Sequence, residues 1–331
     1  PTHFHPFRSW GGCPATMAPW WGGQVTLLGM LLMFLGTCTC GQNPLAPGAC
    51  GPKYVIVSQA TPNITDYSVW SFQVNQAYAS LHGYAFYVAN TTATHYVGNT
   101  RDVRWSKIKI LQDLLKRDGK SGDLSVVHEP EDSCLASKRK HIFFWIDADA
   151  VVMNFDITLQ QLMKGREDRD MVVCREGGGG NLANTGLFFL RETPWAADML
   201  TAWWGMGKKR PETLFTPRHE QWALDGLLEL PWVASKVELT DPWEFNTVPP
   251  FYATTTHSSF VMHLMHEPYG QLREKVFFSV FQALSGTGTH AKILAARVVP
   301  NLCRWTVDSY RVSLGDYYYH EDGSRRKGKA G

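Results

Sequence analysis

The sequence carries almost no net charge. Its 32 lysines and arginines are balanced by 30 aspartates and glutamates, which leaves a formal charge of +2 at pH 7. A nucleic-acid-binding protein needs a basic surface against the phosphates, so this balance gives no indication of a nucleic-acid partner. The basic run at residues 324–329 belongs to a C-terminal tail, residues 321–331, and is typical of a solvated terminus.

The chain also lacks cysteine pairs with metal-ligand spacing. None of its seven cysteines forms a CxxC pair, which argues against a structural zinc site. The odd count leaves at least one thiol unpaired if the others form disulfides. Hydrophobic residues make up 44% of the chain and charged residues 19%, which is a globular composition and excludes a disordered protein.

The N-terminal region has no apolar run of full membrane-spanning length. Residues 25–38 are uncharged and mostly apolar, about 14 residues against the roughly 20 that a spanning helix needs. A stretch rich in glycine and proline follows at residues 41–52. We interpret residues 1–40 as a signal peptide or a short type II signal anchor, followed by a stem; a buried core helix is the alternative.

Two glycosylation sequons agree with a secretory address. They are Asn63-Ile-Thr65 and Asn90-Thr-Thr92. Together with the apolar N-terminus, they predict a Golgi or ER membrane protein that is glycosylated at Asn63 and Asn90. The N-terminus would contact the membrane, and the catalytic domain would be lumenal.

From residue 53 onward, short apolar runs alternate with segments of helical spacing. Strands are predicted at 54–57, 84–88, 141–146, 171–174 and 187–190, with a late apolar run at 260–264, and helices at 68–82, 105–115 and from 194. Residues 118–140 are polar and predict a loop or insertion. The alternation predicts an α/β domain over residues 53–320 with a mainly parallel central sheet.

The most apolar strand ends on two carboxylates, Asp147 and Asp149. Ligands of α/β sheets bind beyond the carboxyl ends of the strands. The flanks from Ile142 to Met153 are apolar apart from this pair, and two acids at the mouth of a buried strand need a cation partner. Hard divalent cations such as Mn2+ or Mg2+ take carboxylates together with substrate phosphates. The pair therefore predicts a metal that bridges the protein to a diphosphate.

The same residues permit a phosphatase interpretation. Asp147-Ala-Asp-Ala-Val151 fits the DxDx[TV] signature of the haloacid dehalogenase superfamily, in which the first Asp is a nucleophile. That motif usually follows the first strand of its core, whereas two βα units precede it here. The sequence also shows no convincing downstream acidic pair at a strand end, so this is the weaker alternative.

Six separated motifs resemble a single family of enzymes. In chain order, they are the helix end Asn75–Tyr84, Trp105-Ser-Lys107, the block Phe144–Asn154, Asn184-Thr-Gly186 with Phe189-Leu-Arg191 and Trp195, His219-Glu-Gln221, and Phe260-Val-Met-His263. This order resembles the GT-A-fold retaining glycosyltransferases of the galactosyl/mannosyl/xylosyl transferase family (family 34). That family includes plant xyloglucan xylosyltransferases and fungal α-mannosyl- and α-galactosyltransferases. The resemblance runs from about residue 54 to about residue 281.

The resemblance implies a fold, a reaction and a set of site residues. The fold is a single GT-A domain, the Rossmann-like fold of nucleotide-diphospho-sugar transferases. The reaction is retaining transfer of a hexose or pentose from a UDP- or GDP-sugar to a glycan acceptor. The implied ligands of Mn2+ or Mg2+ are Asp147, Asp149 and His263. Contacts to donor or acceptor are implied for Lys107, Asp147, Asn184, Thr185, Gly186, Glu220 and Gln221, with Glu220 and Gln221 as the catalytic pair.

The chain departs from the family at one cation. Family members often have Gly-Cys-Lys soon after the metal-binding histidine, with the lysine near the diphosphate, whereas His263 is followed here by Leu-Met-His-Glu-Pro268. His266 and Arg273 are the candidate replacements. The missing lysine also motivates a second hypothesis, a lumenal nucleotide-sugar-binding protein that has the fold but no turnover.

Overall fold

The structure, a computed structural model, describes residues 51–90, 94–117, 119, 124–131, 139–176, 183–209, 211, 214, 219–247, 260–265, 273–278, 280 and 281. The predicted signal or anchor segment, the basic tail and His266 lie outside these residues. Among the residues described, none forms a helix with both the length and the apolar character needed to cross a membrane. Cys174 is buried and unpaired, and the six other cysteines lie outside the described residues.

The strands predicted from the apolar runs are present. The strands of the described residues are β1 (Lys53–Ala60), β2 (Ala85–Asn90), β3 (Ser125–His128), β4 (His141–Ile146), β5 (Ala150–Val152), β6 (Met171–Arg175), β7 (Ala183–Arg191), β8 (Val237–Thr240) and β9 (Val261–His263). The apolar runs do not predict β3, β5 or β8. In the described part of the chain, seven of them form one sheet in the order β3-β2-β1-β4-β7-β6-β8. β1, β2 and β4 are parallel, and β6 and β8 run the same way because β7 is antiparallel to both β4 and β6. The predicted mainly parallel sheet is therefore confirmed.

Helices cover both faces of this sheet. They are α1 (Thr65–His82), α2 (Thr94–Val97), α3 (Ser106–Lys116), α4 (Leu159–Met163), α5 (Pro194–Lys209), α6 (His219–Leu228), α7 (Pro231–Ala234) and α8 (Pro242–Phe245). Alternate residues of β1 point to opposite faces: Val55 and Val57 pack with α3, α5 and α6, and Tyr54 and Ile56 pack with α1 and α4. Burial on both faces explains why β1 is a continuous apolar run.

Helix α1 ends where the sequence predicts. Gly83 adopts the left-handed conformation with φ +66°, and its backbone N–H donates to the carbonyl of Ala79. Glycine takes this conformation without the steric penalty that a Cβ imposes. The predicted end at Gly83 is confirmed.

The prediction of a loop over residues 118–140 is wrong in part. Within it, β3 pairs antiparallel with β2 at the edge of the sheet. Val126 of this strand is 50% exposed. An edge strand with an open face needs no apolar alternation, so the sequence carries no local signal for it.

Candidate active site

A tight turn and a short ribbon bring the acidic pair and the late histidine together. β4 ends at Ile146, and the N–H of Ala150 donates to the carbonyl of Asp147 over 3.1 Å as the chain turns into β5. β5 pairs antiparallel with β9, with Ala150 opposite His263. The N–H of Leu264 donates to the carbonyl of Asp149 over 2.8 Å. The register of this ribbon therefore sets His263 beside Asp149, although the two are 114 positions apart in the sequence.

Asp147, Asp149 and His263 have the geometry of a metal-binding triad. One ligand atom from each of the three lies within 4.8 Å of the others. His263 Nδ1 is 2.9 Å from Oδ1 of Asn246, whose own amide donates to Oδ1 of Asn184 over 2.8 Å. Because Asn246 Oδ1 is an acceptor, Nδ1 carries a proton, and Nε2 is the nitrogen that can bind a metal in this tautomer.

That tautomer makes the site favourable for a cation. His263 Nε2 lies 3.1 Å from Oδ1 of Asp149, so either a proton on Nε2 or a metal ion can bridge the two atoms. A divalent ion would take the place of that proton, and the hydrogen bond from Nδ1 to Asn246 is the outer-shell support that metal-binding histidines have. The two carboxylates and the imidazole therefore fit a metal such as Mn2+.

Gly186 leaves the space that the His263 ring occupies. A Cβ at this position would lie 2.2 Å from Cε1 of His263. The carbonyl of Gly186 also accepts the N–H of Asp147 over 2.9 Å, which extends the pairing of β7 with β4 beyond Ile146. The Asn184-Thr185-Gly186 motif is thus part of the wall against which the metal-binding triad packs.

Lys107 joins three separate parts of the site. Its Nζ lies 3.2 Å from Oδ1 of Asp147 and 2.9 Å from Oε1 of Glu220, and it donates to the carbonyl of Thr185 over 3.0 Å. Burial opposes the charge of this side chain, but the carboxylates of Asp147 and Glu220 outweigh burial and raise the pKa of Lys107. The ammonium is therefore fixed and protonated at neutral pH.

The two aspartates have different electrostatic surroundings. Burial raises the pKa of Asp147, and Lys107 opposes that rise. Burial acts in the same direction on Asp149, but His263 and Arg273 outweigh it and lower the pKa of Asp149. Two carboxylates this close do not ionise equally without a shared cation, which again favours an ion between them.

Glu220 and Gln221 are placed by the first turn of α6. Glu220 is buried, and its Oε1 also accepts a hydrogen bond from the hydroxyl of Thr185 over 2.9 Å. Gln221 accepts from the N–H of Thr185 over 3.2 Å and donates to Oε2 of Glu176 over 2.9 Å. Both side chains are therefore oriented by the strand β7 that also carries Gly186.

One cavity of about 880 Å³ is lined by all nine predicted donor, acceptor and metal residues: Lys107, Asp147, Asp149, Asn184, Thr185, Gly186, Glu220, Gln221 and His263. Arg273, one of the two candidates for the missing lysine, also lines it. Its Nη2 lies 3.2 Å from Oδ2 of Asp149, and its Nε donates to the carbonyl of Leu264 over 2.8 Å. The cavity thus has cations on both sides of the aspartate pair.

The sequence interpretation missed Asn246 and His219. Asn246 orients His263, and His219 lines the cavity beside Glu220. Neither residue lies in an apolar pattern. Asn246 acts through its contact with His263, which is distant in the sequence, so no local sequence pattern predicts its role. His219 stands inside the quoted His219-Glu-Gln221 motif, which was the signal for that residue.

The two glycosylation sites stay predictions. Asn63 is exposed and lines the cavity, so a glycan attached there would lie at its mouth. Asn90 is the last residue of β2.

Comparison with known proteins identifies one curated relative. No protein-family model matches the chain. The chain is 25% identical over 193 residues to the probable alpha-1,6-mannosyltransferase MNN10 of Saccharomyces cerevisiae, a match that covers 54% of this chain and 47% of that protein. The chain therefore spans about half the length of this relative.

A solved glycosyltransferase structure shares the fold. A glycosyltransferase involved in the glycosylation of the major capsid of PBCV-1 matches with a TM-score of 0.53 at 17% identity, over 69% of this chain and 100% of that one. The galactosyltransferase LgtC, in complex with donor and acceptor sugar analogues, has a TM-score of 0.45 at 12% identity, over 70% of this chain and 96% of that one. The chain is thus a homologue of a probable yeast alpha-1,6-mannosyltransferase and has the GT-A glycosyltransferase fold that its motifs predict.

Proposed function

We propose that the chain is a divalent-metal-dependent, retaining glycosyltransferase that moves a hexose or pentose from a UDP- or GDP-sugar to a glycan acceptor. The observation that carries this proposal is the convergence of Asp147, Asp149 and His263 at a cavity of about 880 Å³ in a glycosyltransferase fold. The relative is a probable α-1,6-mannosyltransferase, which makes GDP-mannose the first donor to test.

The triad would hold Mn2+ or Mg2+, and its composition favours Mn2+. Mg2+ prefers oxygen ligands throughout, whereas the triad contains an imidazole nitrogen. When bound, the ion acts as a Lewis acid that neutralises negative charge on the departing diphosphate.

Fixed cations of the chain would stabilise the same charge. Lys107 is held against Asp147, and Arg273 is held against Asp149. Positive groups that are already in place need no reorganisation when the sugar–phosphate bond breaks, which is the main source of stabilisation in such reactions. We assign to Arg273 the role of the lysine that the family has after its histidine.

The position of Glu220 agrees with retention. Oε1 of this buried carboxylate accepts from Lys107 and from Thr185, and these two contacts fix the side chain at the cavity. Its negative charge and the amide of Gln221 would stabilise positive charge on the sugar ring as the diphosphate leaves. The acceptor hydroxyl would then approach from the face that the diphosphate vacates. The α linkage in the name of the relative agrees with this outcome for an α-configured donor.

The proposed location is the membrane of the Golgi or the ER, with the catalytic domain in the lumen. Its support is the apolar run at residues 25–38 and the two sequons at Asn63 and Asn90. Protease protection of the domain in intact microsomes, lost on adding detergent, is the expected result.

The activity is tested with a small donor panel. The purified chain is incubated with GDP-mannose, UDP-galactose or UDP-xylose, with Mn2+ or with EDTA, and release of the nucleoside diphosphate is measured. We expect Asp149→Asn to lower turnover about 100-fold or more, as loss of a preorganised electrostatic group does. Asp113→Asn, which changes an exposed carboxylate paired with Lys116, is the matched control and should retain activity.

Several outcomes would contradict the proposal. Full activity of Asp149→Asn, or of the wild-type chain in EDTA, would exclude the metal role. Inversion of the anomeric configuration, followed by NMR of the transferred sugar, would exclude retention. Tight binding of GDP or UDP without transfer to any acceptor would favour the binding-protein alternative. If the wild-type chain released phosphate from simple phosphomonoesters and Asp147→Asn did not, the phosphatase alternative would be favoured.

A further inference from the structure

His219 begins α6 in an unusual backbone conformation. Its φ is +35°, and among the described residues it is the one non-glycine residue with a positive φ. A side chain at such a φ crowds the backbone, and a protein retains this strain where the surrounding structure imposes it, often at a functional site. The strain here directly precedes Glu220 and Gln221.

The ring of His219 is buried but incompletely hydrogen-bonded. The residue is 5% exposed, and its Nδ1 has no hydrogen-bond partner in the described part of the chain. Oδ1 of Asp102 lies 3.9 Å from Nδ1, which is beyond hydrogen-bonding distance. A buried polar atom without a partner is unfavourable, and an apolar ring would fill the same space without that penalty. Packing therefore does not account for a histidine here.

The surroundings of His219 suit a neutral polar ligand. His219 lines the same cavity as the metal triad and directly precedes Glu220 in the chain. The charged groups that act on it are Arg104, Asp102, Glu220 and Lys107, two of each sign. A balanced set of this kind has no preference for a phosphate. Burial and Arg104 lower the pKa of His219, so at neutral pH the ring offers one donor and one acceptor, as a hydroxyl group does.

We propose that His219, together with Asp102, binds a hydroxyl group of the transferred sugar and so helps to select the donor. This proposal rests on the proposed glycosyltransferase function and adds to it a residue that contacts the sugar. Because Nδ1 has almost no accessible surface in this structure, this proposal requires the ring to turn toward the cavity as the sugar enters. A site that hydrogen-bonds a substrate hydroxyl discriminates against analogues that lack it, because its polar groups are then left unpaired.

The test separates the sugar from the nucleotide. Binding of GDP-mannose, UDP-galactose and UDP-xylose is measured by calorimetry with Mn2+, beside GDP and UDP, which lack the sugar. We expect His219→Phe to weaken binding of the preferred nucleotide-sugar about five- to thirtyfold, the effect of one or two lost hydrogen bonds, and to leave binding of the free diphosphate unchanged. His219→Gly, whose backbone accepts the positive φ, should show the same difference and covers the case in which the Phe variant does not fold. His95→Phe, at an exposed position outside the cavity lining, is the matched control.

Each other result overturns the proposal. Unchanged binding of all three nucleotide-sugars by both His219 variants would show that the ring does not touch the sugar. Equal weakening of nucleotide-sugar and free diphosphate would place His219 at the nucleotide or make it a purely structural residue. The proposal would also be excluded if the wild-type chain bound none of the three nucleotide-sugars more tightly than the corresponding free diphosphate. No binding of any nucleotide by the wild type would instead overturn the proposed function itself.

Discussion

Lys107 forms buried ion pairs with carboxylates from two different parts of the site. It is 3% exposed and forms ion pairs with Asp147 and Glu220. Removal of one partner from a buried ion pair leaves the others charged and uncompensated, which is far more unfavourable than loss of a surface pair. Its effect on stability and its effect on the reaction should therefore appear together.

We predict that Lys107→Met lowers the free energy of unfolding by about 3 kcal/mol, because Glu220 is left buried without a cation. Urea denaturation measures the change. Lys116→Met is the matched control, since Lys116 pairs with Asp113 on the surface and should change stability by less than about 0.5 kcal/mol. Because the pKa of Lys107 is raised on folding, its contribution is fully present at neutral pH and is lost only as the pH rises above the ordinary lysine range. Equal stability of Lys107→Met and Lys116→Met would show that the ion pairs of Lys107 with Asp147 and Glu220 do not stabilise the fold.

Gly186 should affect metal affinity because it leaves room for the ring of His263. In Gly186→Ala, the added Cβ would lie 2.2 Å from Cε1 of His263, so the ring must move away from Asp149. We expect Mn2+ affinity to fall about 10- to 100-fold, as it does when the support of a metal-binding histidine is disturbed. Electron paramagnetic resonance of free Mn2+ measures it. Gly205→Ala in α5, where no atom lies within 4 Å of the added Cβ, should bind Mn2+ like the wild type.

Helix α1 holds the short ribbon that carries the site. The buried amide of Asn75 donates to the carbonyl of Ala150 over 3.1 Å and accepts the N–H of Val152 over 2.9 Å. The hydroxyl of Ser71 donates to the carbonyl of Ala148 over 2.7 Å. A three-residue strand is too short to be stable alone, so these side chains replace the ladder that a longer strand would have.

We predict that Asn75→Leu lowers the free energy of unfolding by about 2–4 kcal/mol, because two buried backbone groups of β5 lose their partners. Mn2+ binding should weaken in the same variant, since the pairing of β5 with β9 sets Asp149 beside His263. Urea denaturation and Mn2+ titration measure the two effects. Ser80→Ala, on the exposed face of α1, is the control and should change neither. Loss of stability with unchanged Mn2+ affinity would show that the ribbon does not depend on α1.

The domain as a whole should be stabilised by its ligands. The residues that line the cavity range from Gln59 to Arg273, so they come together only in the folded chain. A ligand that fills the cavity therefore binds the folded state and not the unfolded one. Such a ligand at 100 times its dissociation constant adds about 2.7 kcal/mol to the free energy of unfolding.

We expect Mn2+ and GDP or UDP together to raise the melting temperature by several degrees, and either alone to raise it less, because the diphosphate and Asp149 would share the ion. Differential scanning fluorimetry measures the shift. In Asp149→Asn, Mn2+ together with the nucleotide should raise the melting temperature no more than the nucleotide alone does. A full shift by the nucleotide in EDTA would contradict the shared site.

The sequence by itself determined β1, β2, β4, β6 and β7, the helix end at Gly83 and the acidic pair, because each is written in neighbouring residues: apolar runs, a glycine after a helical pattern, and carboxylates after a buried strand. The order of the motifs also determined the resemblance to glycosyltransferases. The tertiary structure decided what depends on distant contacts. The register of β5 with β9 brings His263 to Asp149, Asn246 fixes its tautomer, and Arg273 reaches the pair from another segment. No local pattern encodes such pairings, because hydrogen bonds and ion pairs between distant segments form only once the whole chain has packed.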